Sequence, residues 1–173
     1  DRCLIRMENE AQLIADKIFK DFPIFKGIEV SDKRDMISLF EGDDRQLEFY
    51  HPEDSPTKGF LMEIYNPALQ GKKLQDAIFG EMLHAAPSLS PAYKKAKQDL
   101  VLTFTPAQIE SHKRAYEQSG DTRPFDKFMD VSRTDAFIRG YIANQWPDYP
   151  YTIIQRRMMD QMINDLHRGK KNE

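Results

Sequence analysis

A single cysteine, Cys3, excludes an internal disulfide and a zinc site built from cysteines. It stands at the start of the chain with no motif around it, which removes it as a candidate nucleophile. No apolar run approaches the ~20 residues that a membrane-spanning helix needs. Charge of one sign is lacking too. The 25 Lys and Arg stand against 28 Asp and Glu, a net charge of -3, which gives no general pull toward nucleic acid. There is no glycine-rich phosphate loop, no Gly-x-Ser-x-Gly elbow, no Cys/His dyad, no internal repeat and no low-complexity segment.

What is present is enough to fold. With 40% hydrophobic and 11% aromatic residues the chain can build a sizeable core, so global disorder is not expected. The 31% charged residues and a mean hydropathy of -0.67 point to a soluble protein. Basic clusters at Lys94-Lys95-Ala96-Lys97, Arg156-Arg157 and Arg168-Gly169-Lys170-Lys171 read as solvated helix faces and a frayed end, so nucleic acid is not an expected partner. At 173 residues, 1–173 reads as a single domain. Its opening, Asp1-Arg2-Cys3-Leu4, has neither an initiator Met nor a signal-peptide pattern, and reads as a piece of a longer chain or a processed product.

Taken in order, Met7 to about Asp21 has Leu13, Ile14, Ile18 and Phe22 at helical spacing and ends at Pro23. Ile24 to Arg34 reads as a connector. Strands are expected at Met36–Glu41, Gln46–Tyr50 and Gly59–Tyr65, with Gly42-Asp43-Asp44 as the first turn. That makes an N-terminal helix and connector over 1–35 and a mostly antiparallel three-stranded sheet over 36–66. Helices follow over 71–168. Ser90-Pro91 and Thr105-Pro106 are helix openings, and Gly120 is a stop. Arg123–Met129 is a short segment of undecided type. Ser132 with Asp135 resembles a capping box for a helix to about Ala143. Thr152 caps a last helix whose expected apolar stripe is Ile153, Ile154, Met158, Met162 and Leu166. The fold class is therefore α+β, a small sheet followed by a predominantly helical half.

One stretch stands out. Leu74 to Ala86, about three and a half turns at ~3.6 residues per turn, reads as a helix closed by Pro87. Leu74, Ala77, Ile78, Met82 and Ala85 share one side, Glu81 falls in the middle of it, and His84 lies one helical step on. A carboxylate aimed at a core must be paired, protonated or bound to something. Gly80-Glu81-Met82-Leu83-His84 resembles the signature helix of the zincin peptidases, in which two His at i and i+4 hold zinc and a Glu beside the first is the general base. The resemblance covers about residues 36 to 86. It implies Glu81 as catalytic base and His84 as catalytic group and metal ligand. Gly80, however, occupies the first ligand position, which would leave zinc short of protein ligands. His112, Asp130 and His51 are the replacements the chain offers, and no spacing selects one. No cofactor is otherwise called for, zinc being the one candidate. The plain alternative is that His84 caps the helix end or bonds a backbone carbonyl while Glu81 pairs with a buried Arg; a third reading is a metal-free polar pocket. A di-iron reading of Glu-x-x-His fails because the chain has no second such pair.

Asp135 and Arg139 stand at i, i+4, and Arg139 lies among Phe137, Ile138, Tyr141 and Ile142, with Gly140 permitting close approach of a neighbouring element. Arg139 is thus either the charge partner that makes Glu81 tolerable or a surface Arg laid along apolar neighbours. The loop Trp146-Pro147-Asp148-Tyr149-Pro150-Tyr151 is either a ligand or partner surface or a plug for one end of the core. Met158, Met159 and Met162 read as core.

The order of features from Asn66 to about Leu166 resembles a segment of large bacteriophage and prophage proteins. The residues that carry this are Asn66-Pro67, Gly80 to His84, Thr105 to Gln108, Arg123 to Phe125, Ser132 to Gly140 and Tyr151-Thr152. The resemblance implies an accessory, virion-associated module on a longer polypeptide. Its partners would be the remainder of that polypeptide or other protein subunits, and its location the host cytoplasm or the virion. Two functions follow from these readings. One is a noncatalytic interaction or structural module carrying a degenerate zincin-like helix. The other is a metal-dependent, peptidase-like hydrolase that uses Glu81 and His84.

Overall fold

Among the described side chains of α1 (Arg2–Asp21), Ala11, Ala15 and Ile18 are buried at helical spacing, while Ile14 is half-buried and Leu13 exposed. The computed structural model describes residues 2–35 and 46–168, with side chains from Glu10 onward. The expected strand Met36–Glu41 and its turn Gly42-Asp43-Asp44 lie outside the described residues.

The chain divides into two compact units, Asp1–Ala85 with His167–Glu173, and Ala86–Leu166. The first holds α1, a three-stranded sheet and most of α2 (Gly71–Leu89). Its strands are β1 (Glu29–Asp32), β2 (Leu47–Tyr50) and β3 (Leu61–Ile64), in the order β1-β3-β2. β2 runs antiparallel to β3, with Leu47 opposite Ile64 and Tyr50 opposite Leu61, as expected for a return strand. β1 runs parallel to β3, pairing Glu29 with Leu61 and Asp32 with Ile64, so the sheet is mixed rather than mostly antiparallel. β1 falls where a connector was expected, because Glu29-Val30-Ser31-Asp32 offers one apolar residue and no alternation. Position in the sheet explains the burial. Every residue of the central β3 is buried, as a strand covered on both faces requires, while β2 is half-buried along its length.

Two charged groups are built into this unit. The side chain of Arg34, 1% exposed, grips both carboxylate oxygens of Asp32 at 2.7–3.1 Å. It also donates to Glu10 Oε1 at 3.0 Å and to the Leu69 carbonyl at 2.7 Å. Glu10 Oε2 in turn accepts from Gly71 N–H at 3.1 Å, where a left-handed φ of 56° starts α2. One guanidinium thereby ties α1, the end of β1 and the entry to α2. On β3 the buried Glu63 bonds Lys33 and accepts from the Tyr65 hydroxyl at 3.1 Å. Burial works against its charge, but these contacts prevail and hold its carboxyl below the usual range.

The second unit is helical: α3 (Pro91–Val101), α4 (Pro106–Ser119), α5 (Phe125–Phe128), α6 (Thr134–Ile142) and α7 (Ile153–Arg168), the last counted in this unit to Leu166. The Ser90 hydroxyl accepts from Tyr93 N–H at 3.1 Å, and Gly120 ends α4 with φ 71°, both as the sequence signals them. Two Thr-x-x-Gln boxes cap α4 and α7. Thr105 and Gln108 bond each other's backbone at 2.9 and 3.1 Å, and Thr152 and Gln155 do the same at 3.0 and 3.1 Å. The two buried glutamines also exchange amide bonds at 2.8 and 2.9 Å, bolting the two helix starts together. That bolt sets the phase of α7: Gln155, Met159, Met162, Asp165 and Leu166 are buried, while Ile153 and Ile154 are 70% and 62% exposed. The expected stripe through Ile153, Ile154 and Met158 is corrected accordingly.

Arg34→Met should lower stability by about 3–5 kcal/mol, because Asp32 keeps its charge inside after losing its partner. Denaturant unfolding monitored by circular dichroism measures this, and a loss below about 1 kcal/mol would mean the guanidinium acts as a surface group.

Candidate functional site

The helix expected at Leu74–Ala86 forms and is longer, running to Leu89 with Pro87 in its last turn rather than ending it. Pro87 has no N–H, so the helical bond it would give to the Leu83 carbonyl is not made. Leu74, Ile78, Met82 and Ala85 are fully buried and Gly80 is buried as well. Glu81 and His84 are half-buried, at the margin of that face rather than in its middle, and both engage other groups. Among the described residues, no three His, Cys, Asp or Glu side chains come together in a way that could hold a metal ion.

The substitute ligands considered from sequence have other surroundings. His112 is fully buried, and its Nδ1 accepts from Arg133 Nε at 2.9 Å. His51 sits edge-on against Phe49 and Phe60 at 5.6 and 5.5 Å between ring centres. Asp130 is exposed, and its carbonyl accepts from Lys97 Nζ at 3.2 Å.

Glu81 belongs to the first unit, Asp135 and Arg139 to the second. Asp135 is buried and forms an ion pair with Lys97 Nζ at 2.9 Å. Burial, with the Asp135 charge added, pushes the hydroxyl of the fully buried Tyr93 far up and keeps it protonated. Arg139 Nε donates to Gln145 Oε1 at 3.1 Å. Ser132 does not cap a helix. The helix begins at Phe125 and runs into α6 through a π-turn, Met129–Arg133, in which Thr134 N–H donates to the Met129 carbonyl five residues back. The Ser132 hydroxyl accepts from Arg123 Nη2 at 3.1 Å instead.

The π-turn is where the second unit gathers its unusual chemistry, since the extra residue in the turn displaces the side chains that follow. Arg133 leaves it with its guanidinium 4.9 Å from the centre of the Trp146 ring. Trp146 lies on Gly140: a Cβ there would meet Trp146 Cδ2 at 2.7 Å and the Tyr151 hydroxyl at 2.7 Å. The close approach that Gly140 permits is thus made by the aromatic loop itself. Tyr151 donates to the Phe137 carbonyl at 2.9 Å, and Tyr149 stands 4.8 Å from the Tyr151 ring and 5.2 Å from Trp146. The loop plugs this end of the core. Burial, and then the Arg133 charge, bring His112 down to about 4, so it is neutral and its proton resides on Nε2, opposite the accepting Nδ1.

Sequence reasoning singled out neither Arg133 nor Lys97 individually. The Ser132/Asp135 pattern mimicked a helix start and hid the π-turn, and nothing in the spacing signals it. Comparison with protein-family models, with curated proteins and with solved structures yields no match to this chain. No helix among the described residues is long and apolar enough to cross a membrane.

Gly140→Ala should destabilise by about 1–3 kcal/mol through overpacking against Trp146, and the emission of this one tryptophan should shift with it. An unchanged melting midpoint and spectrum would show that the ring can move aside freely. His112 supplies a pH dependence. Its folded value, about 4, lies below the ordinary 6.5. The unfolded chain therefore binds the proton first, and stability is fully present above pH ~6.5 and lost as pH falls toward ~4. At about 1.4 kcal/mol per pH unit the loss is on the order of 3 kcal/mol. Urea unfolding across that window should show the slope in the native protein and a shallower one in His112→Gln.

Proposed function

We propose that this chain is a noncatalytic interaction or structural module of a phage-associated protein, its zincin-like helix degenerate. One observation carries the reading: the residues that compose the phage-like pattern are engaged in holding the fold. Asn66 closes a turn by accepting from Ala68 N–H at 2.8 Å. Thr105 and Gln108 cap α4, and Thr152 caps α7. The Arg123 carbonyl accepts from the Tyr116 hydroxyl at 2.6 Å, and Phe125 packs on that ring. Asp135 pairs with Lys97, and Gly140 seats Trp146. Such a pattern describes a scaffold, and side chains spent on caps and packing are not available to a substrate.

Support on the catalytic side is thinner. Gly80 removes a ligand, and no trio of candidate ligands gathers among the described residues. An interaction role also suits the large apolar side chains of Leu102, Ile153 and Ile154, all strongly exposed, with Gln155 bonded to the Thr103 carbonyl at 3.2 Å between their segments. The partners would be protein: the remainder of a parent polypeptide or neighbouring subunits.

Metal content is the direct test. The purified chain should carry far less than one zinc per molecule by mass spectrometry, and Glu81→Gln and His84→Ala should fold as the native chain does. Stoichiometric zinc that is lost in His84→Ala, together with a hydrolytic activity lost in Glu81→Gln, would overturn the proposal in favour of the metal-dependent hydrolase.

A further inference from the structure

Among the described residues of the second unit, several side chains present hydrogen-bond donors that the fold does not use. Arg133 is half-buried, and burial works against its charge, yet among the described residues it has no carboxylate partner. Its Nε is committed to His112 and its face to Trp146. That leaves the Nη1 and Nη2 groups, the forked edge that fits the two oxygens of a carboxylate or phosphate. The Tyr149 hydroxyl, on a ring tilted against Trp146, is buried without a hydrogen-bond partner. So is Gln145 Nε2, one residue before Trp146, whose amide oxygen is occupied by Arg139. The Nε2–H of His112, on the far side of the ring from Arg133, and the Tyr93 and Thr134 hydroxyls are buried without a partner as well.

This imbalance has a sign. Buried polar groups in native proteins are nearly always bonded, and the exceptions call for an explanation. Beside Arg133 the charge is positive and the nearby Tyr149 hydroxyl has no acceptor, while the carboxylate of Asp135 pairs with Lys97. A hydrophobic ligand would leave the Arg133 fork and the Tyr149 hydroxyl unsatisfied, and a cation would be repelled. An acceptor-only anion answers the charge and these donors.

We infer that the edge of Arg133 over Trp146, flanked by Tyr149, is a binding site for a small oxyanion, the phosphate or carboxylate group of a ligand. The indole holds the guanidinium plane and the buried His112 anchors Nε, so the fork is pre-oriented and little freedom is lost on binding. This site lies within the second unit, and the inference does not rest on the interaction role proposed above.

Trp146 is the only tryptophan, so its emission reports directly on the site. Inorganic phosphate and, separately, acetate are titrated into the whole chain with ionic strength held constant by sodium chloride. Native protein should give a saturable change with at least one of the two: phosphate alone would assign a phosphorylated ligand, acetate alone a carboxylate ligand. Arg133→Lys keeps the charge but not the fork and should weaken binding about tenfold or more, the equivalent of one charge-assisted hydrogen bond. Tyr149→Phe removes only the hydroxyl and should weaken binding without altering the far-ultraviolet circular dichroism. Arg133→Gln, checked by the same spectrum, should abolish the saturable change. No saturable change in the native protein with either anion would overturn the inference. So would equal binding by Arg133→Lys, Tyr149→Phe and the native chain.

Discussion

A buried guanidinium cannot be left half-satisfied, and in the first unit that constraint organises everything around Arg34. Its charge is tolerable only if Asp32, Glu10 and the Leu69 carbonyl all arrive at once. Those three groups come from the end of β1, from α1 and from the approach to α2, segments that are far apart in the chain. Meeting the demand of one side chain therefore fixes where the helix and the parallel edge strand sit around β3. Net stabilisation from such a cluster is small, because desolvating the charges consumes most of the attraction. Its value is specificity: a register in which any one acceptor is missing leaves a charge inside, and is disfavoured strongly.

The second unit solves the corresponding problem with neutral groups. Gln108 and Gln155 each close a helix cap with one end of the amide and bond each other with what remains. Two local devices, each legible as Thr-x-x-Gln, become one tertiary contact. The consequence reaches beyond the caps, since fixing Gln155 inward rotates α7 and turns Ile153 and Ile154 out to solvent. Arg133 shows the opposite balance. Its donors exceed the acceptors supplied, whereas Gln155 is bonded to Gln108 and Asp135 is paired with Lys97.

The α2 helix illustrates how far a candidate site can be read from sequence. Most of its apolar side was correctly placed, because a 3.6-residue period is a property of the chain alone: Leu74, Ile78, Met82 and Ala85 are buried, and Ala77 is half-buried. The depth of Glu81 was not, because a helix inside a protein is covered by whatever the fold brings to it, and here the cover stops at the margin where Glu81 and His84 lie. A buried Arg was expected to accompany a buried carboxylate. Arg34 is a buried Arg of this kind, and it pairs with Asp32 and Glu10.

Local chemistry settled a great deal by itself. The Ser90, Thr105 and Thr152 helix starts, the Gly120 stop, the β2 and β3 strands and the small-residue need at Gly140 all follow from backbone preferences and from side chains bonding their own neighbours. These effects act over a few residues and are written in order. The parallel β1 strand, the π-turn at Met129–Arg133, the phase of α7 and the pairing of Lys97 with Asp135 required the tertiary structure. Each is decided by a group distant in sequence that must be matched in charge, volume or hydrogen bonding, and one chain read in order does not say which distant group that is.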